Sequence, residues 1–271
     1  MQTKTLNFSK YTSFKIGPTL DIALLDIETK NKDIQNHYLI GACNNVLISD
    51  NPPPLMMLSK AFDYIKIEDN KLIVGAATPS GKLASFCKKN NIANFEFLSH
   101  LPGKLGGLIY MNAGLKEYEI FHSLLDIQTI SGRRTKEEID YGYRFTDINE
   151  PILEATFNLA YGYDAEKVAM FQKMRTNQPS TPSAGSCFKN PSGDYAGRLI
   201  EAAGLKGVMQ GDMCFSKEHA NFLVNCGNGK FEDALFLIKE AQKRVYKMFE
   251  IHLELEIKIL DKEYMSQKDS Y

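Results

Sequence analysis

The chain has 271 residues, of which 44% are hydrophobic and 24% are charged, as is typical of a globular protein with a buried core. Its formal net charge of -1 excludes a global positive field that would recruit nucleic acid or an anionic membrane. The sequence has no signal-peptide pattern, no apolar run of membrane-spanning length and no zinc-like spacing among its five cysteines, so we expect a reduced, cytoplasmic chain without a membrane span or a metal site.

Strand patterns dominate the N-terminal part of the chain. Residues 21–27 form an apolar run, and 38–49 follow the pattern of a strand, a turn of small residues and a second strand. Residues 64–75 predict a hairpin whose turn lies at Asp69 and Asn70.

Helix and strand patterns alternate in the middle of the chain. Residues 80–91 predict a short helix with Ser80 as its N-cap, and 124–130 predicts a strand. In 151–162 apolar side chains alternate with polar ones, which predicts a strand with one buried face.

The C-terminal part predicts three helices followed by a strand. The helices are 164–179 with Asp164 as the N-cap, 194–204 bounded by Asp194 and Gly204, and 231–250. The last helix places one set of apolar residues at helical spacing on a packed face: Ala234, Ile238, Ala241, Val245 and Met248. Strict alternation over 251–260 predicts one continuous closing strand.

Several common catalytic motifs do not occur in the sequence. It contains no G-x-G-x-x-G between a strand and a helix, no Walker loop, no G-x-S-x-G elbow and no H-E-x-x-H. This excludes the commonest dehydrogenase, kinase, hydrolase and zinc-protease families, but leaves open nucleotide binding through another loop.

Two glycine-rich turns, 40–45 and 101–107, are candidates for such a loop. Glycine lets backbone N–H groups approach a phosphate closely, although either turn taken alone is favoured as an ordinary connection.

The charged and hydroxyl side chains that are candidates for catalysis can also be explained by ordinary structural roles. Arg144 lies among aromatic residues, where its stem can cover a tyrosine ring. Glu254 and Glu256 share the polar face of the last predicted strand, and periodicity does not choose between them. Ser186 lies in the loop 178–197, where a serine usually makes a local hydrogen bond, and His219 is favoured as structural.

Taken together, five segments resemble one enzyme family. In chain order they read "FLSHLPGKLGGLIYMNAG", "YGYRFT", "PSAGSCFKNPSGDYAGRLIEAAGLKG", "SKEHANFLVNCGN" and "LELEIKIL". This pattern is similar to the UDP-N-acetylenolpyruvoylglucosamine reductases, in their shorter form that lacks an additional tyrosine-bearing substrate loop. The resemblance extends from about Tyr11 to Leu260.

The resemblance implies an α+β fold. Residues 1–165 would form a flavin-binding region of the vanillyl-alcohol-oxidase type, with subdomains 1–58 and 59–165. Residues 166–250 would form a smaller α+β substrate-binding domain, and 251–271 would add a closing strand and a tail. A change in composition near 161–176 agrees with this division.

The resemblance also implies a reaction of peptidoglycan precursor synthesis. NADPH would reduce a noncovalently bound FAD, which would pass a hydride to UDP-N-acetylglucosamine enolpyruvate and give UDP-N-acetylmuramate. We expect a monomer with these small-molecule partners and without a nucleic-acid partner.

The family's motifs assign roles to individual residues. Arg144 would stabilise negative charge on the substrate, Ser186 would donate a proton, and Glu256, rather than Glu254, would support the enolic intermediate. The resemblance places Asn190, Lys189 and Arg175 at the substrate. The implied FAD-binding residues are Gly41, Ala42, Cys43, Asn44, Asn45, Val46, Pro102, Gly103, Gly106, Gly107, Asn112, Ala113 and Gly114.

One departure concerns the first phosphate loop. The family's usual loop is close to "GGGSNLL", whereas this chain has "GACNNVL". If Cys43 adopts a positive φ, its backbone costs roughly 1 kcal/mol more than that of glycine. Asn44 can hydrogen-bond where the serine would.

Two alternatives remain open. Another FAD-dependent oxidoreductase of the same flavin fold is less favoured, because the C-terminal motifs match the reductases. A flavin- or nucleotide-sugar-binding module without turnover is less favoured, because all three catalytic positions are filled.

Overall fold

The structure is a computed structural model that describes residues 2–29 and 34–268. Its strands are β1 (Thr3–Asn7), β2 (Thr19–Leu25), β3 (Tyr38–Leu39), β4 (Val46–Ile48), β5 (Leu55–Leu58), β6 (Ile65–Glu68), β7 (Lys71–Gly75), β8 (Gly114–Leu115), β9 (Tyr118–Glu119), β10 (Leu124–Thr129), β11 (Arg133–Thr135), β12 (Tyr141–Gly142), β13 (Phe145–Thr146), β14 (Ile152–Asn158), β15 (Ser183–Ser186), β16 (Met209–Gln210), β17 (Met213–Phe215), β18 (Phe222–Asn225) and β19 (Lys258–Leu260). Its α-helices are α1 (Phe8–Tyr11), α2 (Ser80–Lys89), α3 (Leu105–Tyr110), α4 (Ala165–Met174), α5 (Ala196–Ala202), α6 (Phe231–Phe249) and α7 (Lys262–Lys268). No helix in the described ranges combines the length and the apolar composition needed to span a bilayer.

The described chain divides into two compact units. The first consists of Met1–Lys4, Ile22–Ala42 and Pro54–Thr176, and the second of Thr5–Asp21, Cys43–Pro53 and Asn177–Tyr271. These units are defined by how the chain packs, so they do not test the functional division into 1–165, 166–250 and 251–271. That division stays a prediction.

The first unit contains two main sheets. Strands β2, β5 and β3 are parallel and lie in that order. The other sheet is antiparallel, with strand order β11, β10, β14, β7, β6. Its core buries several aromatic side chains, and the rings of Phe95 and Phe157 meet edge to face at 5.3 Å.

The hairpin predicted near Asp69 and Asn70 is confirmed as β6 and β7. Both turn residues have positive φ, 47° and 57°, as a two-residue type I′ turn requires.

The prediction that Ser80 caps α2 is wrong. Pro79 has the extended backbone of an N-cap, and the buried Ser80 is already the first helical residue.

The second unit is built on an antiparallel sheet with strand order β15, β18, β17, β16. Helices α5 and α6 share one hydrophobic core with this sheet. Strand β4 pairs in parallel with β19, and this pairing brings the segment Cys43–Pro53 into the unit. The side-chain amide of Asn225 donates to the Phe14 carbonyl at 2.9 Å and so secures the segment Thr5–Asp21.

The helix ends of the C-terminal part show one confirmed cap and one correction. Asp164 is the N-cap of α4, and its carboxylate accepts from the Glu166 backbone N–H at 2.8 Å. Gly204 follows the end of α5 with φ +70°, as predicted. The N-cap of α5 is Tyr195 rather than Asp194, because the Asp194 carboxylate forms an ion pair with Arg198.

The closing segment 251–260 is not one continuous strand. Burial alternates through Leu253, Ile257 and Ile259 as predicted, but only β19 is a strand. The backbone of this segment changes partner along its length. The Glu256 N–H donates to the Cys187 carbonyl, whereas the Lys258 N–H donates to the Asn45 carbonyl, so no single ladder forms.

The packed face of α6 differs from the prediction at its C-terminal end. Ala234, Ile238, Ala241 and Val245 are buried, but Met248 is 56% exposed. The buried stripe runs instead through Leu237, which is 1% exposed, and ends at Val245.

Replacing Leu237 by alanine should therefore lower the free energy of unfolding by about 2–5 kcal/mol, since it leaves a cavity in the core. Met248→Ala on the same helix should change it by less than about 0.5 kcal/mol. Chemical denaturation of the two variants measures both values. Equal losses would contradict the buried stripe described here.

Candidate functional site

The serine loop ends in a strand with an irregular register. Ser183 pairs with Val224 and Ser186 pairs with Phe222, so β15 uses one more residue than β18 between the two pairs. Gly185 has φ +79°, a left-handed conformation that glycine adopts without strain. In a regular strand residues 183 and 186 would point to opposite faces. The bulge instead places Ser186 on the same face as Ser183.

The loop is joined to the closing segment immediately after Ser186. The Cys187 carbonyl accepts from the Glu256 N–H at 2.9 Å, and Phe188 forms a bridge with Leu255. Burial raises the pKa of the Cys187 thiol, and the nearby Glu256 carboxylate raises it further. Within the second unit, the structure therefore brings the segments of Ser186 and Glu256 together.

The structure also separates the two glutamates that periodicity could not distinguish. The Glu254 side chain is 72% exposed and pairs with Lys189, whose Nζ lies 2.6 Å from Oε1. Glu256 is half-buried and lies near the Cys187 thiol. Glu256 is therefore the more buried of the two carboxylates.

The other predicted substrate residues have structural contacts of their own. Asn190 Oδ1 accepts from the Ala196 N–H at 3.1 Å and so caps the start of α5. In the first unit, Arg175 donates to the His100 carbonyl, and burial lowers the pKa of its guanidinium. No local sequence pattern predicts either contact.

His219 is structural, as the sequence favours. Its Nδ1 accepts from the Asn221 N–H at 3.3 Å, and its ring meets the ring of Phe222 at 4.9 Å. Burial lowers the pKa of His219, so the ring stays neutral near pH 7 and can accept this bond.

Arg144 lies at the turn between β12 and β13 in the first unit. Its backbone has φ +55°, an uncommon conformation for a residue with a side chain. The guanidinium donates to the Gly114 carbonyl at 2.9 Å and to the Asn112 carbonyl at 3.4 Å. It also lies 5.2 Å from the ring centre of Tyr143, which agrees with the simpler explanation of an arginine packed on a tyrosine.

Glu119 is a contributor to this arrangement that the sequence analysis missed. Its carboxylate accepts from Asn112 Nδ2 at 2.8 Å, and the same nitrogen donates to the Gly142 carbonyl at 3.0 Å. These bonds link the segment 112–114, whose carbonyls accept from the Arg144 guanidinium, to the β12–β13 hairpin. No local sequence signal marks Glu119, since its role depends on pairing between β8 and β9.

The glycines of the segment 102–114 serve different purposes. A side chain at Gly114 would meet the Tyr118 carbonyl oxygen at 2.3 Å, so close backbone packing explains this residue. Gly107 is exposed, and a Cβ there would meet nothing within 4 Å of the described residues. Packing therefore does not explain Gly107.

Asn112 provides a second sign of ligand binding in this segment. Its side chain is fully buried, yet Oδ1 has no hydrogen-bond partner among the described residues. A buried acceptor of this kind is costly unless a donor reaches it. A cofactor that carries an N–H group on its ring would fit this position.

The loop "GACNN" has the strained backbone that its sequence suggested. Cys43 has φ +53°, and its side chain is 4% exposed. The Ser13 hydroxyl donates to Asn44 Oδ1 at 2.8 Å, and Asn45 Nδ2 donates to the Glu256 carbonyl at 2.8 Å. Burial raises the pKa of Tyr11 to about 12, with a further contribution from Cys43. Within the second unit, residues 43–45 of this loop are therefore joined to the Glu256 segment.

In the part of the chain that the structure describes, no group of three or more His, Cys, Asp or Glu side chains could hold a metal ion.

Comparison with known proteins shows which family the chain resembles over its length. Residues 177–260 match the domain described as "UDP-N-acetylenolpyruvoylglucosamine reductase, C-terminal domain". The chain is 46% identical to the UDP-N-acetylenolpyruvoylglucosamine reductase of Helicobacter hepaticus, over 96% of this chain and 100% of the relative. It is 45% identical to the enzyme of the same name from Campylobacter jejuni strain RM1221, over 94% and 99%.

A solved structure extends this likeness to the fold. The UDP-N-acetylenolpyruvylglucosamine reductase of Thermus caldophilus superposes with a TM-score of 0.82 at 28% identity, over 96% of this chain and 99% of that one. The similarity confirms the α+β fold class that the sequence predicts. The chain therefore belongs to the UDP-N-acetylenolpyruvoylglucosamine reductase family.

Proposed function

We propose that the protein is an NADPH-dependent flavoenzyme that reduces UDP-N-acetylglucosamine enolpyruvate to UDP-N-acetylmuramate. The names of its relatives support this substrate. The structural observation that supports it best is the hydrogen bond of 2.9 Å between the Glu256 N–H and the Cys187 carbonyl, since it joins the segments of two candidate catalytic residues.

The residues present fit FAD as the cofactor. When bound, FAD would supply hydride transfer from NADPH to C3 of the enolpyruvyl group. The exposed Gly107 leaves room for a phosphate near the backbone, and the buried Asn112 Oδ1 suits a ring N–H. The residues proposed to hold the cofactor are Gly41, Ala42, Cys43, Asn44, Asn45, Val46, Pro102, Gly103, Gly106, Gly107, Asn112, Ala113 and Gly114.

Arg144 is proposed to stabilise the negative charge that develops on the substrate. Reduction of the enolpyruvyl double bond moves electron density onto the adjacent carboxylate, and a fixed cation lowers the energy of that state. Bonds to the carbonyls of Asn112 and Gly114 orient the guanidinium. A planar guanidinium also suits a carboxylate better than an ammonium group does.

Ser186 is proposed to give its hydroxyl proton to C2 of the substrate. A serine hydroxyl is a weak acid, so neighbouring groups must help Ser186 to give up its proton. Glu256 is proposed to stabilise the enolic intermediate and to orient the site.

Lys189, Asn190 and Arg175 are proposed to bind the substrate. Lys189 pairs with a largely exposed carboxylate, and such pairs contribute little stability, so Lys189 can exchange Glu254 for a substrate phosphate. The Oδ1 atom of Asn190 caps α5, and its amide nitrogen is the group assigned to the substrate. Arg175 is assigned to the diphosphate.

An anaerobic experiment tests the function directly. NADPH should bleach the absorbance of the bound flavin, and UDP-N-acetylglucosamine enolpyruvate should then restore it. Bleaching without recovery would favour another FAD-dependent oxidoreductase. A protein that binds no flavin after reconstitution, yet binds the nucleotide sugar, would favour a binding module without turnover.

Replacing Ser186 by alanine separates the two half-reactions. Bleaching by NADPH should change by less than about twofold, whereas recovery on substrate should slow by about 10²–10⁴-fold, the usual contribution of a positioned proton donor. Ser183→Ala on the same strand is the control and should leave both rates unchanged. If Ser186→Ala slowed both half-reactions equally, the proton-donor role would be wrong.

The two glutamates form a matched pair for a second test. Glu256→Gln should slow recovery on substrate by at least about tenfold, because it removes the carboxylate proposed to support the enolic intermediate and to orient the site. Glu254→Gln should change this rate by less than about twofold, since it breaks only the ion pair of a largely exposed carboxylate with Lys189. A larger effect at Glu254 would reverse the assignment.

A further inference from the structure

Two cysteine side chains lie together on the sheet of the second unit. The Sγ atoms of Cys214, on β17, and Cys226, just after β18, are 3.5 Å apart. All five cysteines lie in the described residues, and Cys43, Cys87 and Cys187 are buried.

The register of the sheet explains this approach. Cys214 pairs with Val224, and the Cys226 N–H donates to the Asp212 carbonyl at 2.8 Å, so the antiparallel pairing continues past β18. Side chains directly opposite each other share a face, as do residues two positions apart on one strand. Cys214, Val224 and Cys226 therefore share a face, with the two sulfurs on a diagonal.

Little movement would be needed to join the two sulfurs. A disulfide bond is about 2.05 Å long, so the sulfurs, now 3.5 Å apart, need to approach by roughly 1.5 Å. The backbone bonds around Asp212 and Val224 already hold the two strands at pairing distance.

The two thiols differ in their exposure to solvent. Cys226 is exposed, whereas Cys214 is 7% exposed and packs with Phe222 and Val224. Burial raises the pKa of Cys214 to about 11, so it is a poor first nucleophile, and the exposed Cys226 is the thiol that a reagent in solution meets first.

We propose that Cys214 and Cys226 are a site of covalent oxidation, at which a low-molecular-weight disulfide converts the two thiols to one intramolecular disulfide. The Cys226 thiolate attacks one sulfur of the reagent, forms a mixed disulfide and releases one thiol. The Cys214 thiol then loses its proton, attacks the Cys226 sulfur and releases the second thiol. The reagent gains the two electrons and two protons that the cysteines lose.

This bond would join β17 to the residue that follows β18, on the face of the sheet that also carries Ser186. It would also protect the exposed Cys226 sulfur from higher, irreversible oxidation.

The proposal can be tested on the full-length protein with oxidised glutathione. After incubation, free thiols are blocked by alkylation and the protein is digested with trypsin without a reductant. Cleavage at Lys206, Lys217 and Lys230 places the two cysteines on separate peptides, 207–217 and 218–230. We expect these peptides to be cross-linked in the wild type and released by dithiothreitol, while the buried cysteines remain reduced.

Single variants identify the order of events. Cys214→Ser should lose the cross-link completely and retain glutathione on Cys226. Cys226→Ser should lose both the cross-link and the glutathione adduct. The proposal is wrong if the wild type retains glutathione on Cys226 as the Cys214→Ser variant does, if Cys226 instead links two copies of the chain, or if Cys226 remains unmodified.

Discussion

The peptide groups on either side of Glu256 hold together the segments of the second unit that carry the candidate chemistry. The Glu256 N–H donates to the Cys187 carbonyl next to Ser186, and its carbonyl accepts from the side chain of Asn45 in the "GACNN" loop. Backbone groups withdrawn from water must be paired, so these bonds are expensive to break. These bonds therefore fix the backbone from which the Glu256 carboxylate projects, and they position the serine loop and the phosphate-loop candidate with it.

In the first unit, backbone groups also position a candidate catalytic side chain, the Arg144 guanidinium. The Arg144 guanidinium is oriented by the carbonyls of Asn112 and Gly114, while the Asn112 side chain is held by Glu119 and by the Gly142 carbonyl. Carbonyl oxygens fix the direction of a guanidinium and leave its net charge in place. A charge held in this way needs little reorganisation when a substrate anion develops, which is the condition for electrostatic catalysis.

The strained loop shows how a departure from the family's usual sequence is accommodated. Cys43 adopts a left-handed backbone that glycine would adopt at lower cost, yet its side chain is almost fully buried, and burial of a small apolar group offsets part of that cost. The bonds of Asn44 to Ser13 and of Asn45 to Glu256 hold the loop from both sides. The chain belongs to a family of oxidoreductases of peptidoglycan precursor synthesis.

Local signals in the sequence were sufficient for the hairpin at Asp69 and Asn70 and for the Asp164 cap, since each depends on residues within one or two turns of chain. The α+β class was implied by the resemblance to the family. Position in the family's motifs identified Ser186 and Glu256 as candidates, but periodicity could not separate Glu256 from Glu254. Only the tertiary structure showed that Gly185 forms a bulge, that Asn190 caps α5 and that 251–260 changes partner. These features depend on contacts such as Asn45 with Glu256, 211 positions away, and a pattern of neighbouring residues carries no information about a partner at that distance.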